Sequence, residues 1–176
     1  MARLYVPAGE GPEVDRIFLT DPAIGSAAMA LRDAVYLDNH LPLRVHEAVR
    51  YLIADCNQCT HCLAARRGDA GSDGLTESFY AAVLEDRAGD EFDERERLAL
   101  EYTYRFCYDH LSIDDDLFDN LRLVFTDVEL FDLCVSVARH LAFGRLTQVS
   151  GVSIACDIGQ GRLAEHGFRD PVVSSL

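Results

Sequence analysis

Lysine is absent: all 16 basic residues of the 176-residue chain are arginine. This excludes a Schiff-base lysine and a lysine general base, so chemistry has to come from Cys, His, Asp, Glu, Tyr or Arg. A long apolar run is also missing. No stretch approaches the roughly 20 apolar residues that a bilayer-spanning helix needs. The opening Met1-Ala2-Arg3-Leu4-Tyr5-Val6-Pro7 lacks the charged start and apolar core of a signal peptide. The expectation is a soluble, cytoplasmic protein. Positive charge is scarce: 30 acidic against 16 basic residues give a net charge of -14, and no basic patch offsets it. Such a field repels nucleic acid and anionic membrane, so neither is expected as a partner.

What is present suffices for one domain with a real core, since 49% of the residues are hydrophobic. No segment alternates strictly between apolar and polar with β-branched residues. The expected fold is therefore all-α, with about six or seven helices. Residues 1–20, carrying Pro7, Gly9, Gly11 and Pro12, read as an irregular N-terminal arm. Residues 21–152 read as the helical domain, and 153–176, with Gly159, Gly161, Gly167 and Pro171, as a loosely structured tail.

Within the domain, Asp21-Pro22 has the form of an N-cap followed by proline at the first helical position, opening a helix to Val35. A second helix runs from Pro42 to Cys56 with an apolar stripe of Val45, Ala48, Val49, Leu52 and Ile53. A third, short one is expected from Cys59 to Gly68, followed by the glycine-rich loop 68–74. An amphipathic segment from Thr76 to Glu85 comes next. Asp93 with Glu96, and Thr126 with Glu129, have capping-box form. Ser112 is expected to cap the helix carrying Leu117 and Leu121. The last helix is apolar around much of its circumference from Leu130 to Leu146, which suits a central position or a subunit interface.

The chain concentrates its chemistry at Cys56-Asn57-Gln58-Cys59-Thr60-His61-Cys62, where two overlapping Cys-x-x-Cys pairs can be read. In a reducing compartment such a cluster points to redox chemistry or metal binding rather than a structural staple. On a helix, Cys59 and Cys62 share a face and come within disulfide reach. A thiol at a helix start is also favoured as thiolate, which selects Cys59. The rival is metal. The three cysteines resemble the start of an iron-sulfur run, but Arg66 stands where a fourth cysteine belongs. A zinc site could recruit His61 or His46, without the second cysteine or histidine pair of a zinc module. Simple packing of the three thiols is the remaining reading. Glu47, just upstream, is either a general base or one member of a surface ion pair with Arg44 or Arg50.

Glu47, eleven intervening residues, then Cys59-Thr60-His61-Cys62-Leu63-Ala64-Ala65 resembles the signature of the alkylhydroperoxidase D-like branch of the carboxymuconolactone decarboxylase superfamily. Glu94–Glu101 resembles that family's next helix, and Phe125–Leu133 through Gly144-Arg145-Leu146 its closing one. The resemblance implies a carboxymuconolactone decarboxylase-like helical bundle that assembles as a homo-oligomer, a trimer or hexamer. It also implies a peroxiredoxin-type oxidoreductase, a thiol-dependent peroxidase or disulfide reductase in antioxidant defence, with no cofactor. The partners would be a hydroperoxide and an external dithiol or lipoyl-type reductant. Cys62 would be the attacking thiol, Cys59 the resolving thiol, and Glu47 with His61 the proton relay. Arg66 occupies the family's other relay-histidine position; always charged, it cannot accept a proton but can stabilise a thiolate or pair with Glu47. Cys56 lies outside the motif and would resolve a sulfenic acid on Cys59 or merely pack. The alternative is a non-catalytic or metal-binding oligomer of the same fold in which Arg66 has broken the relay. Lactone decarboxylation would leave the cysteine pair without a task.

Other candidates have simpler explanations. His110 suits a helix end, and His140 reads as a hydrogen-bonded interior or interface residue. Cys107, Cys134 and Cys156 read as packing. Asp114-Asp115-Asp116 reads as a helix start rather than a metal site.

Overall fold

The computed structural model describes residues 2–67 and 73–152, together with the backbone of 168–169. The described residues form eight α-helices: α1 (Glu13–Arg16), α2 (Pro22–Asp33), α3 (Leu43–Cys56), α4 (Thr60–Ala64), α5 (Glu77–Glu85), α6 (Glu94–Tyr108), α7 (Asp115–Val124) and α8 (Asp127–Ser150). The all-α expectation holds. The count exceeds the expected one because the N-terminal arm is partly helical: α1 and a 3-10 turn over Ile17–Thr20 lead into α2. Among the described residues, the one pairing of strands is a two-residue antiparallel pairing of β1 (Arg66–Arg67) with β2 (Phe168–Arg169). It is too short to leave an alternating pattern in the sequence. The expected loop 68–72, most of the tail, and Cys156 lie outside the described residues.

The helix starts follow the local chemistry. The Asp21 carboxylate accepts from the Ala23 and Ile24 N–H groups, with Pro22 at the first helical position. Both capping boxes are closed in both directions, Asp93 with Glu96 and Thr126 with Glu129. Ser112 does not cap α7. It lies in a 3-10 turn, and Asp114 accepts from the Leu117 N–H instead, a stronger acceptor two residues closer to the helix. Asp115 and Asp116 then occupy the first turn, as expected of an acidic helix start.

Helix α3 is the centre of the molecule, packed against α6, α8, α5 and α4. Its Val45, Val49 and Ile53 face one core with Tyr102, Leu121 and Leu133. Ala48 and Leu52 face a second core with Phe79, Val83 and Leu100. Covered on both sides, α3 has no wide solvent face left for its charged residues, and His46, Glu47 and Arg50 are buried along with the apolar stripe. Its C-terminal end is fastened to α8 through Asn57. The Asn57 amide donates to the His140 and Leu141 carbonyls, and its oxygen accepts from Arg145. Gly144 makes this approach possible, since a Cβ there would stand 2.3 Å from Asn57 Nδ2. Helix α8 ends at Gly151 in the left-handed region, at φ 63°. Its sides differ: Leu133, Val137 and His140 are buried, while Val128, Phe131 and Val149 are exposed.

Candidate redox site at Cys59 and Cys62

The link between α3 and α4 is a tight reversal. Gln58 takes a positive φ of 53°, held by its backbone N–H and its side-chain amide, both donating to the Asp55 carbonyl. The reversal places Cys59 at the N-cap of α4, where its sulfur accepts from the Cys62 N–H at 3.2 Å. Helix α4 is shorter than expected, starting at Thr60 and ending at Ala64. Cys59 and Cys62 are joined by a disulfide, with Cα atoms 5.2 Å apart. Of the two overlapping pairs, this is the one that closes; Cys56 remains a free thiol. The two sulfurs are unequal. Cys59 is 3% exposed, whereas Cys62 is partly exposed.

Glu47 is not a surface ion-pair partner: it is 0% exposed. Arg50 grips it with Nε to Oε1 at 3.0 Å and Nη2 to Oε2 at 2.9 Å, and the Tyr80 hydroxyl donates to Oε2 at 3.1 Å. Arg44, the other candidate, turns away to Glu96 and the Gly74 carbonyl. Burial alone would raise the Glu47 carboxyl. Arg50 outweighs it, with His46 and the Tyr80 hydroxyl adding, and the pKa lies below the usual range. Burial and the Glu47 charge push Tyr80 up, which keeps its hydroxyl a donor. Glu47 is thus an ionised, saturated carboxylate, and a weak base while the fork is closed.

Arg50 is the residue that sequence reasoning undervalued. Beyond Glu47, it donates to the Cys62 carbonyl at 2.8 Å and the Ala65 carbonyl at 3.2 Å. It therefore ties the buried carboxylate of α3 to the backbone carrying the disulfide. Its place one turn after Glu47 was visible, but an i,i+3 acid–base pair reads as a surface feature until the helix is known to be buried.

Arg66 does not pair with Glu47. It forms a fork with Glu77, Nε to Oε1 at 2.9 Å and Nη2 to Oε2 at 3.0 Å, and lies 4.0 Å above the Tyr80 ring. The Glu77 carboxylate is reachable from solvent, and Arg50 already occupies Glu47. His61 lies on α4 between the paired cysteines and is partly exposed. His46 stacks edge-on to His140 and Tyr36 inside the bundle, away from any role that the sequence suggested. Among the described residues no three His, Cys, Asp or Glu side chains gather as metal ligands. None of the described helices is long and apolar enough to cross a membrane.

No protein-family model matches the sequence, and no curated protein matches it. Solved structures do. The alkylhydroperoxidase AhpD core from Ralstonia eutropha JMP134, an uncharacterized peroxidase-related protein, superposes with TM-score 0.67 at 21% identity, covering 86% of this chain and 91% of that one. A peroxidase-related protein from Silicibacter sp. TM1040 gives 0.68 at 14% identity, covering 86% and 91%. The debrominase Bmp8 in complex with 2,3,4-tribromopyrrole gives 0.66 at 16% identity, covering 81% and 76%. This chain therefore has the fold of the alkylhydroperoxidase D-like proteins.

Proposed function

We propose that the protein is a thiol-dependent peroxidase or disulfide reductase working through Cys59 and Cys62. The closed disulfide joining a buried Cys59 to a partly exposed Cys62 carries this reading. In the reduced enzyme the Cys62 thiolate attacks the hydroperoxide O–O bond, the alcohol leaves, and Cys62 becomes a sulfenic acid. Cys59 then attacks that sulfur, the S–S bond forms and water departs. An external dithiol attacks Cys62, the sulfur that solvent reaches, and a second exchange releases the reduced pair. The helix-start argument favours Cys59 as thiolate, and its sulfur does accept the Cys62 N–H. Its burial nevertheless supports the resolving role for Cys59, because the first attack needs an accessible sulfur.

Glu47 serves as an anchor: with Arg50 and Tyr80 it fixes the loop from Cys62 to Ala65. His61, on the same short helix, is the remaining proton carrier beside Cys62. Homo-oligomeric assembly is supported by the exposed apolar Val128 and Phe131 of α8. Peroxide consumption with a dithiol donor tests the reading in a Cys56→Ser background, which removes the third thiol of the cluster, alone and combined with Cys59→Ser or Cys62→Ser. Both added substitutions should abolish turnover. Turnover that survives either one, or metal bound in stoichiometric amount, contradicts it.

A further inference from the structure

A second pair of thiols lies at the end of α3, on residues the proposed reaction does not use. Cys56 closes α3, and Cys107 lies in the last turn of α6; the two helices pack side by side, with Arg44 near the start of α3 bonded to Glu96 near the start of α6, which brings the two cysteines level at the far end. Burial, and then the same Cys56 sulfur, push the hydroxyl pKa of Tyr108, next to Cys107, upward. From α8, Arg145 Nη2 lies 3.6 Å from Cys56 Sγ, while its Nε is fastened to Asn57 Oδ1. A thiol and a hydroxyl from the end of α6 and a guanidinium from α8 thus surround the sulfur that closes α3. Both sulfurs are free, and both residues are partly exposed. A partly exposed sulfur with a fixed guanidinium against it has the surroundings of a reactive cysteine rather than a packing one. Cys134, also free, lies against the core, where its neighbour is the Tyr102 hydroxyl rather than a guanidinium.

The geometry points to Cys56 and Cys107 as a second, reversible redox pair that closes to a disulfide when a hydroperoxide is the oxidant. Cys56 Sγ attacks the peroxide oxygen, the O–O bond breaks and the alcohol leaves, giving a sulfenic acid on Cys56. Cys107 Sγ then attacks the Cys56 sulfur, its proton passes to the departing hydroxyl, and water leaves as the S–S bond forms. Two thiols lose two electrons and the peroxide gains them. The order of attack follows from the surroundings. Burial, with the neighbouring Cys56 sulfur adding, pushes the Cys107 thiol up to about 12, so Cys107 is the partner that keeps its proton. Arg145 stands beside Cys56, the sulfur that attacks.

The inference does not depend on turnover at Cys59 and Cys62, and it can be tested on wild-type protein with that disulfide closed. Stoichiometric hydrogen peroxide, alkylation of the remaining thiols and tryptic digestion without reductant should give peptide 51–66 cross-linked to peptide 106–122. Two thiols per chain should be lost, Cys134 should stay alkylated, and dithiothreitol should restore both thiols. Cys56→Ser should abolish the cross-link, with Cys59–Cys62 still closed. Arg145→Gln should slow its formation several-fold with the fold intact by circular dichroism. The inference is overturned if Cys56 and Cys107 both remain alkylatable, if Cys56 accumulates as sulfinic acid, or if the cross-link survives Cys56→Ser.

Discussion

Arg50 holds both oxygens of Glu47 and, with its remaining N–H groups, the carbonyls of Cys62 and Ala65. One buried guanidinium thus joins the core of the bundle to the loop that carries the disulfide. Its energetics follow from burial. Two charges removed from water are tolerated only while they satisfy each other, and removing one leaves the other uncompensated, at a cost of about 3–5 kcal/mol. Glu47→Gln and Arg50→Met should each destabilise by that amount in urea denaturation, and the double variant by clearly less than their sum. Additive losses would mean that the two act separately.

The acid limb of the stability curve should carry the same signature. The folded Glu47 pKa lies below its unfolded value, so the pair contributes above the unfolded carboxylate range near 4.3 and is lost as pH falls through the folded value. His140 acts at a higher pH. Burial, followed by the charges of Arg139 and the neighbouring His46, depresses its pKa well below the ordinary value, and its Nδ1 is in hydrogen-bond contact with the Ser136 carbonyl. The unfolded chain protonates this imidazole near 6.5 while the folded one stays neutral, so the unfolded state binds more protons below that pH. Stability should therefore fall on acidification from pH 7 to 5, by up to about 1.4 kcal/mol per pH unit from this group. His140→Phe should flatten that slope in thermal scans. An unchanged slope would remove His140 as the cause.

Gln58 tests the reversal. Left-handed backbone costs an ordinary residue about 1–2 kcal/mol, most for β-branched side chains. Gln58→Gly should hold or raise stability, and Gln58→Val should lower it by about that amount. The Cys59–Cys62 reduction potential, measured against glutathione, should move more in the valine variant.

Arg66 is the position where the resemblance and this chain diverge. Its Glu77 partner is largely solvent-exposed, at 78%, and such a pair contributes about 0–1 kcal/mol. Arg66→Gln should therefore change stability by no more than about that, plus about 0.5–1 kcal/mol for the lost contact with the Tyr80 face. Peroxide turnover should stay within a few-fold of wild type, because Arg66 is tied to Glu77. A loss of more than tenfold would place Arg66 in the reaction.

The all-helical fold was legible because its signals are local. The Asp21-Pro22 start, the two capping boxes and the α3 stripe are set by residues within one or two turns, and each appears where the sequence placed it. Short spacing left two overlapping cysteine pairs open, and the resemblance, through the distance from Glu47, singled out Cys59 with Cys62. The surroundings of Glu47 were not legible. Whether Arg44 or Arg50 pairs with it depends on α5, α6 and α8 closing over α3, which no local pattern records. For the same reason the sequence left Arg66 open between stabilising a thiolate and pairing with Glu47 and did not point to Glu77, and it did not bring Cys107 together with Cys56, 51 positions away. Ser112 was displaced as a cap by Asp114 because two acceptors competed for one helix start.

The most direct test of the account is chemical trapping on the double variant Cys56→Ser/Cys59→Ser, in which the resolving sulfur and the second peroxide-attacking thiol are gone. One equivalent of hydroperoxide followed by dimedone should place the label on Cys62, with intact-mass and peptide analysis giving near-complete occupancy. Absence of the label from Cys62, with Cys62 recovered as an unreacted thiol, would contradict it.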